Sequence, residues 1–298
     1  MQKYIEIFLG SYSGYWNFLK HEIVNPGWHN YFYWFIGLFM SIWLLEILFP
    51  WRKKQSIIRK DFWLDSFYMF FNYFLFPIIV FVAISNVFAE LFNDFLALFD
   101  VTNTVAVEIA SWPAWSQILT MFIITDFLQW NVHRYLHKIP WLWELHKLHH
   151  SVKEMGFAAH LRYHWMENVV YKTVLYLPMA MIGFGIRDFF VVHIVSLAVG
   201  NLNHANVGLD YGPLKYILNN PRMHIWHHAK KLPDKYPYGM NFGITLSLWD
   251  YLFKTACIPE NGRDIELGFD RDETYPGDLA HQLIYPLGQR KKRTKNEK

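Results

Sequence analysis

Repeated histidines at helical spacing constrain this chain more than any other feature. Eight of them form one H-x-x-x-H pair and two H-x-x-H-H triplets, namely His133 and His137, then His146, His149 and His150, then His224, His227 and His228. At about 100° per residue, side chains three and four positions apart lie on one face of a helix. Each cluster therefore predicts a helix that presents imidazoles within one arc, and each triplet can supply ligands to two neighbouring metal ions.

Three further residues are candidates beside these clusters. His164 follows the second triplet, and His204 ends a long apolar stretch. Both are candidate metal ligands, and a contact to a ligand residue or to a lipid head group is the alternative for each. Asp126 lies seven residues before His133, which places it two turns earlier on the same helix face. A carboxylate at that position can accept the second ring N–H of a ligand histidine and fix its tautomer. An Asp that pairs only with an arginine or a backbone group is the alternative.

The chemistry of the candidate ligands limits which metal ions the site can bind. Imidazole suits iron, copper, zinc and nickel. Structural zinc sites use four ligands and usually include cysteine, but Cys257 is the chain's single cysteine. Eight to ten histidines are too many for one ion, so two ions follow. The Glu and Glu-x-x-His pattern of carboxylate-rich di-iron bundles is absent, which leaves a histidine-ligated pair of irons as a distinct solution.

Apolar segments predict an integral-membrane protein. Of the 298 residues, 53% are hydrophobic and 19% aromatic, and stretches long enough to cross a bilayer occupy about 31–50, 67–88 and 114–130. A further apolar stretch, 169–204, is broken near its middle by Gly183-Phe-Gly-Ile-Arg-Asp188 and predicts a helical hairpin. The basic loop 51–62 should be cytoplasmic by the positive-inside rule, which places all ten candidate histidines on the cytoplasmic side.

We therefore expect an all-α, multi-span bundle with about three spans and a hairpin, capped on the cytoplasmic side by histidine-rich helices. Three regions are predicted: membrane spans over 1–113, a catalytic domain over 114–260, and an extension over 261–298. The extension ends in a basic tail that either meets anionic lipid heads or is simply solvated. The formal charge is only +3, and we expect no nucleic-acid partner.

Several motifs together resemble the fatty acid hydroxylase/sterol desaturase superfamily over about residues 115–257. The similar segments are Asp126…His133-Arg-x-x-His137, His146-x-x-His149-His150, Arg162-Tyr-His164…Glu167, His204-Ala-Asn206, Asn220-Pro221…His224-x-x-His227-His228, and Asn241-Phe-Gly243…Leu248-Trp-Asp250-Tyr-Leu-Phe253-Lys-Thr255. The chain departs from the family where aromatic positions are often seen, having Gln129-Trp130-Asn131 there. Asn131 is a candidate contact for metal-bound water or substrate.

The resemblance implies a di-iron, O₂-dependent hydroxylase or desaturase that acts on a lipid at the cytoplasmic face. Its substrate would enter from the bilayer. The sequence contains no G-x-G-x-x-G turn, flavin motif or haem-attachment motif. An external electron donor is therefore implied, such as a ferredoxin, a cytochrome or another reductase chain.

Two other classes of protein fit the same histidines. A dizinc hydrolase of lipid head groups would add carboxylates to the site, and Asp126, Glu144, Glu167 and Asp250 are available. A metal transporter or sensor would place its site near the bilayer midplane in broken helices. Here the histidine clusters lie beyond the ends of the predicted spans, which favours an enzyme.

Overall fold

The computed structural model describes residues 1–27, 31–101, 105, 107, 109–184 and 186–287. Within these residues the chain is helical and has no strand, only two isolated bridges, Leu218 with Leu246 and Ala229 with Leu267. The predicted all-α class is confirmed. The predicted basic tail lies outside the described residues.

Eleven α-helices organise the described part of the chain. They are α1 (Gln2–Val24), α2 (Tyr31–Leu48), α3 (Phe62–Phe70), α4 (Val82–Ala97), α5 (Ala114–Lys138), α6 (Pro140–His150), α7 (Trp165–Ile182), α8 (Ile186–His204), α9 (Pro221–His227), α10 (Leu248–Leu252) and α11 (Leu279–Ile284). Two π-helical turns, Phe71–Leu75 and Pro77–Phe81, connect α3 to α4. Pro77 lacks an N–H group, so the regular hydrogen-bond ladder is interrupted there.

One helix among the described residues, Phe62–Ile79, is long and apolar enough to cross a membrane. The segment Phe32–Leu48 is apolar but shorter. Large apolar side chains are also exposed on the helices that precede and follow it in the chain, including Met40 on α2 and Phe88 on α4. These surfaces favour contact with an apolar phase, while the remaining predicted spans stay a prediction.

Helix α5 is central to the fold because α6, α7 and α8 all pack against it. Pro140 occupies the first turn of α6, where its missing N–H leaves no hydrogen bond unmade. Helices α7 and α8 follow each other after a short connection that starts with Gly183 at φ +77°. The break falls where the sequence predicts the turn of a helical hairpin.

Helix α9 is short, and its start is well defined. The Asn220 side chain accepts a hydrogen bond from the Met223 backbone N–H, and Pro221 occupies the first turn. Both are strong helix-start signals. They bring the third histidine cluster to the end of a buried helix that packs against α8.

Candidate metal centre

Nine of the ten histidines proposed as ligands come together in two groups. The first group is His133, His137, His146, His150 and His227, and the second group is His149, His204, His224 and His228. In each group the donor atoms all lie within 4.8 Å of one another. Four helices, α5, α6, α8 and α9, supply these side chains, with His228 directly after the end of α9.

Each triplet divides its members between the two groups. His146 and His150 on α6 join the first group, and His149 joins the second. The third cluster divides the other way, because His227 joins the first group while His224 and His228 join the second. Residues four apart lie on the same side of a helical turn, and the residue three along is offset to the other side. The H-x-x-H-H spacing thus bridges two adjacent sites.

The ring nitrogens converge as ligands of a common ion would. Nε2 of His133 lies 3.2 Å from Nε2 of His146, and Nε2 of His150 lies 3.1 Å from Nε2 of His227. In the second group, Nε2 of His204 lies 3.0 Å from Nε2 of His224. Two nitrogens bound at right angles, each about 2.1 Å from one ion, would be about 3.0 Å apart. The spacing therefore fits two metal ions held by imidazole.

Several of the opposite ring nitrogens are held by the protein, whereas Nδ1 of His224 and Nδ1 of His228 have no hydrogen-bond partner among the described residues. Five histidines have a partner oxygen at Nδ1: His133 with Phe242 O at 2.7 Å, His146 with Glu167 Oε2 at 2.9 Å, His149 with Arg162 O at 3.2 Å, His204 with Gly200 O at 2.7 Å, and His227 with Met240 O at 2.8 Å. A proton on Nδ1 makes each ring a donor to that oxygen and leaves Nε2 free to bind metal. Such outer partners orient the rings and raise their basicity.

Glu167 is the carboxylate at this centre. Its Oε2 accepts from His146, while its Oε1 has no hydrogen-bond partner among the described residues. Burial raises the pKa of Glu167 to about 8. The sequence places this residue in the motif after the second triplet, but spacing alone does not show that it reaches His146.

Among the described residues Asp126 has no hydrogen bond to a histidine, in contrast to the role considered for it from the sequence. It accepts hydrogen bonds from the backbone N–H groups of Thr245 and Leu246 and from the indole of Trp249, the last at 2.8 Å. The hydrogen bonds of Asp126 therefore fasten the segment before α10 to α5. This corresponds to the alternative in which the carboxylate pairs with backbone groups.

Asp250 fastens the same region from the other side. It accepts from the backbone N–H groups of Phe242 and Gly243 and from the Trp130 indole at 3.0 Å. We call residues 240–247, which precede α10, the strap. Because its Met240 and Phe242 carbonyls are the Nδ1 partners of His227 and His133, the strap positions two members of the first group.

His164 and Asn131 lie apart from the two groups. Nε2 of His164 is 3.0 Å from Leu283 O, and its Nδ1 accepts from the backbone of Met166. The Asn131 amide donates to the Phe127 carbonyl of its own helix at 3.0 Å. The structure brings neither side chain to the converging ring nitrogens.

Burial also sets the protonation state of the site. Desolvation lowers the pKa of His133 to about 4 and lowers the pKa of His146 and His150 well below the usual value, with neighbouring histidines adding to the effect. The rings are therefore neutral at pH 7. Neutral imidazole is the form that binds metal.

A cavity of about 170 Å³ adjoins both groups and lies among α5, α7 and α8. Members of both groups line it, together with apolar side chains such as Leu175, Val192 and Leu197. Gln129 also lines it, one turn before His133, and had not been singled out as a site residue. The centre therefore has a mostly apolar chamber next to the ligands, which suits part of a lipid.

Comparison with known proteins agrees with this chemistry. Residues 118–255 match the family model described as fatty acid hydroxylase. An ornithine lipid hydroxylase of Rhizobium tropici is 30% identical over 179 residues, which cover 60% of this chain and 53% of that protein. Alkylglycerol monooxygenases are also similar: that of Xenopus tropicalis is 32% identical over 49% of this chain and 31% of its own length, and that of Homo sapiens is 29% identical over 45% and 29%.

The matched segments thus span about half the length of the bacterial relative and about a third of the monooxygenases. No solved structure matches the chain.

Proposed function

We propose, on the premise that this chain belongs to the fatty acid hydroxylase/sterol desaturase superfamily, that it is a membrane oxidoreductase of lipids. In this proposal two histidine-bound iron ions and O₂ hydroxylate or desaturate a C–H bond. The observation that carries it is the convergence of nine histidines, eight of them buried and His137 half-buried, into two adjacent groups.

The donor set fits iron. The first ion would be held by the five histidines of the first group, and the second ion by the four of the second group. Imidazole suits Fe among the transition metals, and when bound the iron pair supplies the activation of O₂. Glu167, the strap and the Arg162 carbonyl hold the rings in place, so the protein fixes the ligand geometry.

The cavity accounts for substrate orientation. His133, His149 and His204 line it, so a chain inserted there would lie beside both metal groups. Apolar walls exclude water from the reacting carbon, which suppresses side reactions. Two similar proteins are named as an ornithine lipid hydroxylase and an alkylglycerol monooxygenase. These names support a lipid substrate here.

The location and partners complete the proposal. The apolar helix Phe62–Ile79 and the exposed apolar faces of α2 and α4 support an integral, multi-pass protein. We place the centre on the cytoplasmic face within a catalytic region of about 114–260. A separate ferredoxin, cytochrome or reductase would deliver the electrons that O₂ chemistry requires.

The position of the carboxylates disfavours the dizinc hydrolase. Asp126 and Asp250 accept hydrogen bonds from backbone N–H groups of the strap, and Glu144 pairs with Lys147. Glu167 alone reaches a ligand ring among these four. Hydrolytic sites normally use such carboxylates to activate water, so oxidation fits the residues better.

Elemental analysis of detergent-purified protein is the first test, performed beside a His149→Ala, His227→Ala double variant that damages both groups. We expect about two irons per chain in the wild type and little in the variant. Reconstitution with a reductant and O₂, followed by mass spectrometry of membrane lipids, should show products that gain one oxygen or lose two hydrogens.

Two zinc ions that persist in iron-rich medium, with no oxidation of lipids, would favour the hydrolase. Metal-dependent flux across vesicles without lipid oxidation would favour a transporter. Absence of stoichiometric metal from the wild type would remove the proposed function.

A further inference from the structure

The cavity beside the metal groups has a polar lining in addition to its apolar walls. Four of its lining residues each keep a buried polar atom with no hydrogen-bond partner among the described residues, namely Gln129 Oε1, His160 Nδ1, Ser196 Oγ and Asn203 Oδ1. Asn203 Nδ2 donates to the Ile244 carbonyl at 2.9 Å, which leaves its oxygen as an acceptor. Buried polar atoms are destabilising unless something pairs with them. The cavity is thus suited to a polar group as well as to a hydrocarbon chain.

A cation lines the same cavity. Lys172 lies on α7, and its Nζ is 4.1 Å from the centre of the Phe81 ring. None of the ion pairs among the described residues includes Lys172. A charged side chain in an apolar helix is costly unless it is paired, so it marks a functional site with an expected partner. The aromatic ring provides only part of that pairing.

The position of Lys172 relates the cation to the metal groups. Glu167, whose carboxylate contacts His146, lies on the same helix five residues earlier. Five residues correspond to about 7.5 Å along the helix axis. An anion paired with Lys172 would therefore lie only a short length of chain from the metal-bound end of the cavity.

We propose that the cavity binds a lipid by an anionic head group, a carboxylate or a phosphate, which pairs with Lys172. Gln129 and Asn203 accept hydrogen bonds from hydroxyl or amide groups near the head. The oxidised carbon then lies close to the head group. This inference rests on the proposed function for its chemistry, but the binding step can be measured without turnover.

The test compares lipids that share one acyl chain and differ in the head. Oleate, oleoyl lysophosphatidate and monooleoylglycerol are added to the purified holoprotein without O₂, and bound lipid is measured by native mass spectrometry. We expect at least about tenfold tighter retention of an anionic probe than of the neutral one, as for a charge-assisted contact. The two anionic probes distinguish a carboxylate site from a phosphate site.

Variants assign the preference to the cation. Lys172→Met should reduce the anionic preference to within about twofold, and Lys172→Arg should keep most of it. Lys20→Met is the matched control, because Lys20 is exposed on α1, far from the cavity in the sequence. Circular dichroism and metal content verify folding, and Lys172→Gln replaces the Met variant if that protein is unstable.

Equal retention of the three probes by the wild type would overturn the inference, as would a full anionic preference in Lys172→Met. Lipid oxidation without an anionic preference would remove this inference and leave the proposed function. A Lys172-dependent anionic preference in a protein that binds no iron would remove the proposed function and leave the binding site.

Discussion

At the scale of single residues, the outer partner of a ligand matters as much as the ligand. His146 depends on Glu167, since its Nδ1 has the Oε2 atom at 2.9 Å as its only hydrogen-bond partner given by the structure. The carboxylate is nearly inaccessible to solvent, at 1% exposure. Loss of this acceptor would leave a buried ring N–H unpaired and the ring free to turn.

We therefore expect Glu167→Leu to weaken metal binding by about 10- to 100-fold. Glu167→Gln should have a smaller effect, because its amide oxygen can still accept from Nδ1. Metal retained after dialysis against a graded series of chelator concentrations measures this. Glu273→Gln, a change of an exposed carboxylate, should retain metal like the wild type, and equal retention by Glu167→Leu would contradict the role of Glu167.

At Gly200 the constraint is the space available for a side chain. A Cβ atom added there would lie 2.3 Å from Cε1 of His160, which is much closer than van der Waals contact. His160 itself packs against His204, with ring centres 5.0 Å apart. A larger residue at position 200 would therefore displace a ring next to a proposed ligand.

Gly200→Ala should lower the free energy of unfolding by about 1–3 kcal/mol through overpacking. Gly10→Ala is its counterpart, because Gly10 is also inside a helix but has nothing within 4 Å of the added atom. That change should be neutral or stabilise the protein by about 0.5–1 kcal/mol. Thermal unfolding in one detergent compares the two variants. Similar changes in their melting temperatures would show that the His160 ring moves aside without a loss of stability.

At the scale of elements, the strap connects distant parts of the sequence. Asp126 and Asp250 fasten it between α5 and α10, and its carbonyls fix His133 and His227. Both of these rings belong to the first group, whereas no member of the second group has its Nδ1 partner in the strap among the bonds described above.

Asp250→Asn should therefore release metal from the first group preferentially. In the wild type the Gly243 N–H donates to a carboxylate oxygen of Asp250. In the variant the amide N–H₂ would face this N–H, so the strap would lose one hydrogen bond. We expect the metal content to fall from about two ions per chain towards one. Thr255→Val removes one hydroxyl donor to Asp250 and should keep nearly two, and an equal loss from both groups would show that the strap is not selective.

The sequence was informative where geometry is local. Helical spacing alone brought the H-x-x-H-H members to two neighbouring positions, because i, i+3 and i+4 relations are set within one element. It did not reveal that Asp126 serves the strap or that Glu167 holds His146, since these contacts join segments far apart in the chain. His164 has the right residue type, but the Leu283 carbonyl 3.0 Å from its ring comes from a segment whose position no local pattern reports.

Membrane crossing was also only partly predictable. The helices α5, α7 and α8 combine apolar faces with polar side chains that serve the centre, such as Asp126, Glu167 and Asn203. These polar groups lower the average hydropathy of helices that nevertheless pack around the cavity. Among the described residues, length and hydropathy therefore single out the helix Phe62–Ile79, while the all-helical class follows from the whole pattern.

At the scale of the whole molecule, metal should contribute to stability. Nine imidazoles from four helices and the residue after α9 converge in the folded chain, and the unfolded chain has no such site. A ligand present at 1,000 times its dissociation constant stabilises the folded state by about 4 kcal/mol. Removal of metal should therefore lower the melting temperature of the protein.

Differential scanning calorimetry before and after chelation measures this change, with Fe²⁺ returned under anaerobic conditions to restore it. The His149→Ala, His227→Ala variant should melt at one temperature with or without chelator. If neither chelation nor added iron changes the melting temperature of the wild type, metal bound to the histidine groups does not stabilise the fold.

The division of each triplet between the two groups has a consequence for how the centre fills. Because α6 and α9 each contribute to both groups, the first ion bound in the proposed centre would order two helices that the second ion also needs. The ordering entropy is then spent before the second event, which makes loading cooperative. Titration of the apoprotein with Fe²⁺ should show mainly empty and doubly filled molecules, so that a half-assembled oxidant is scarce in the cell.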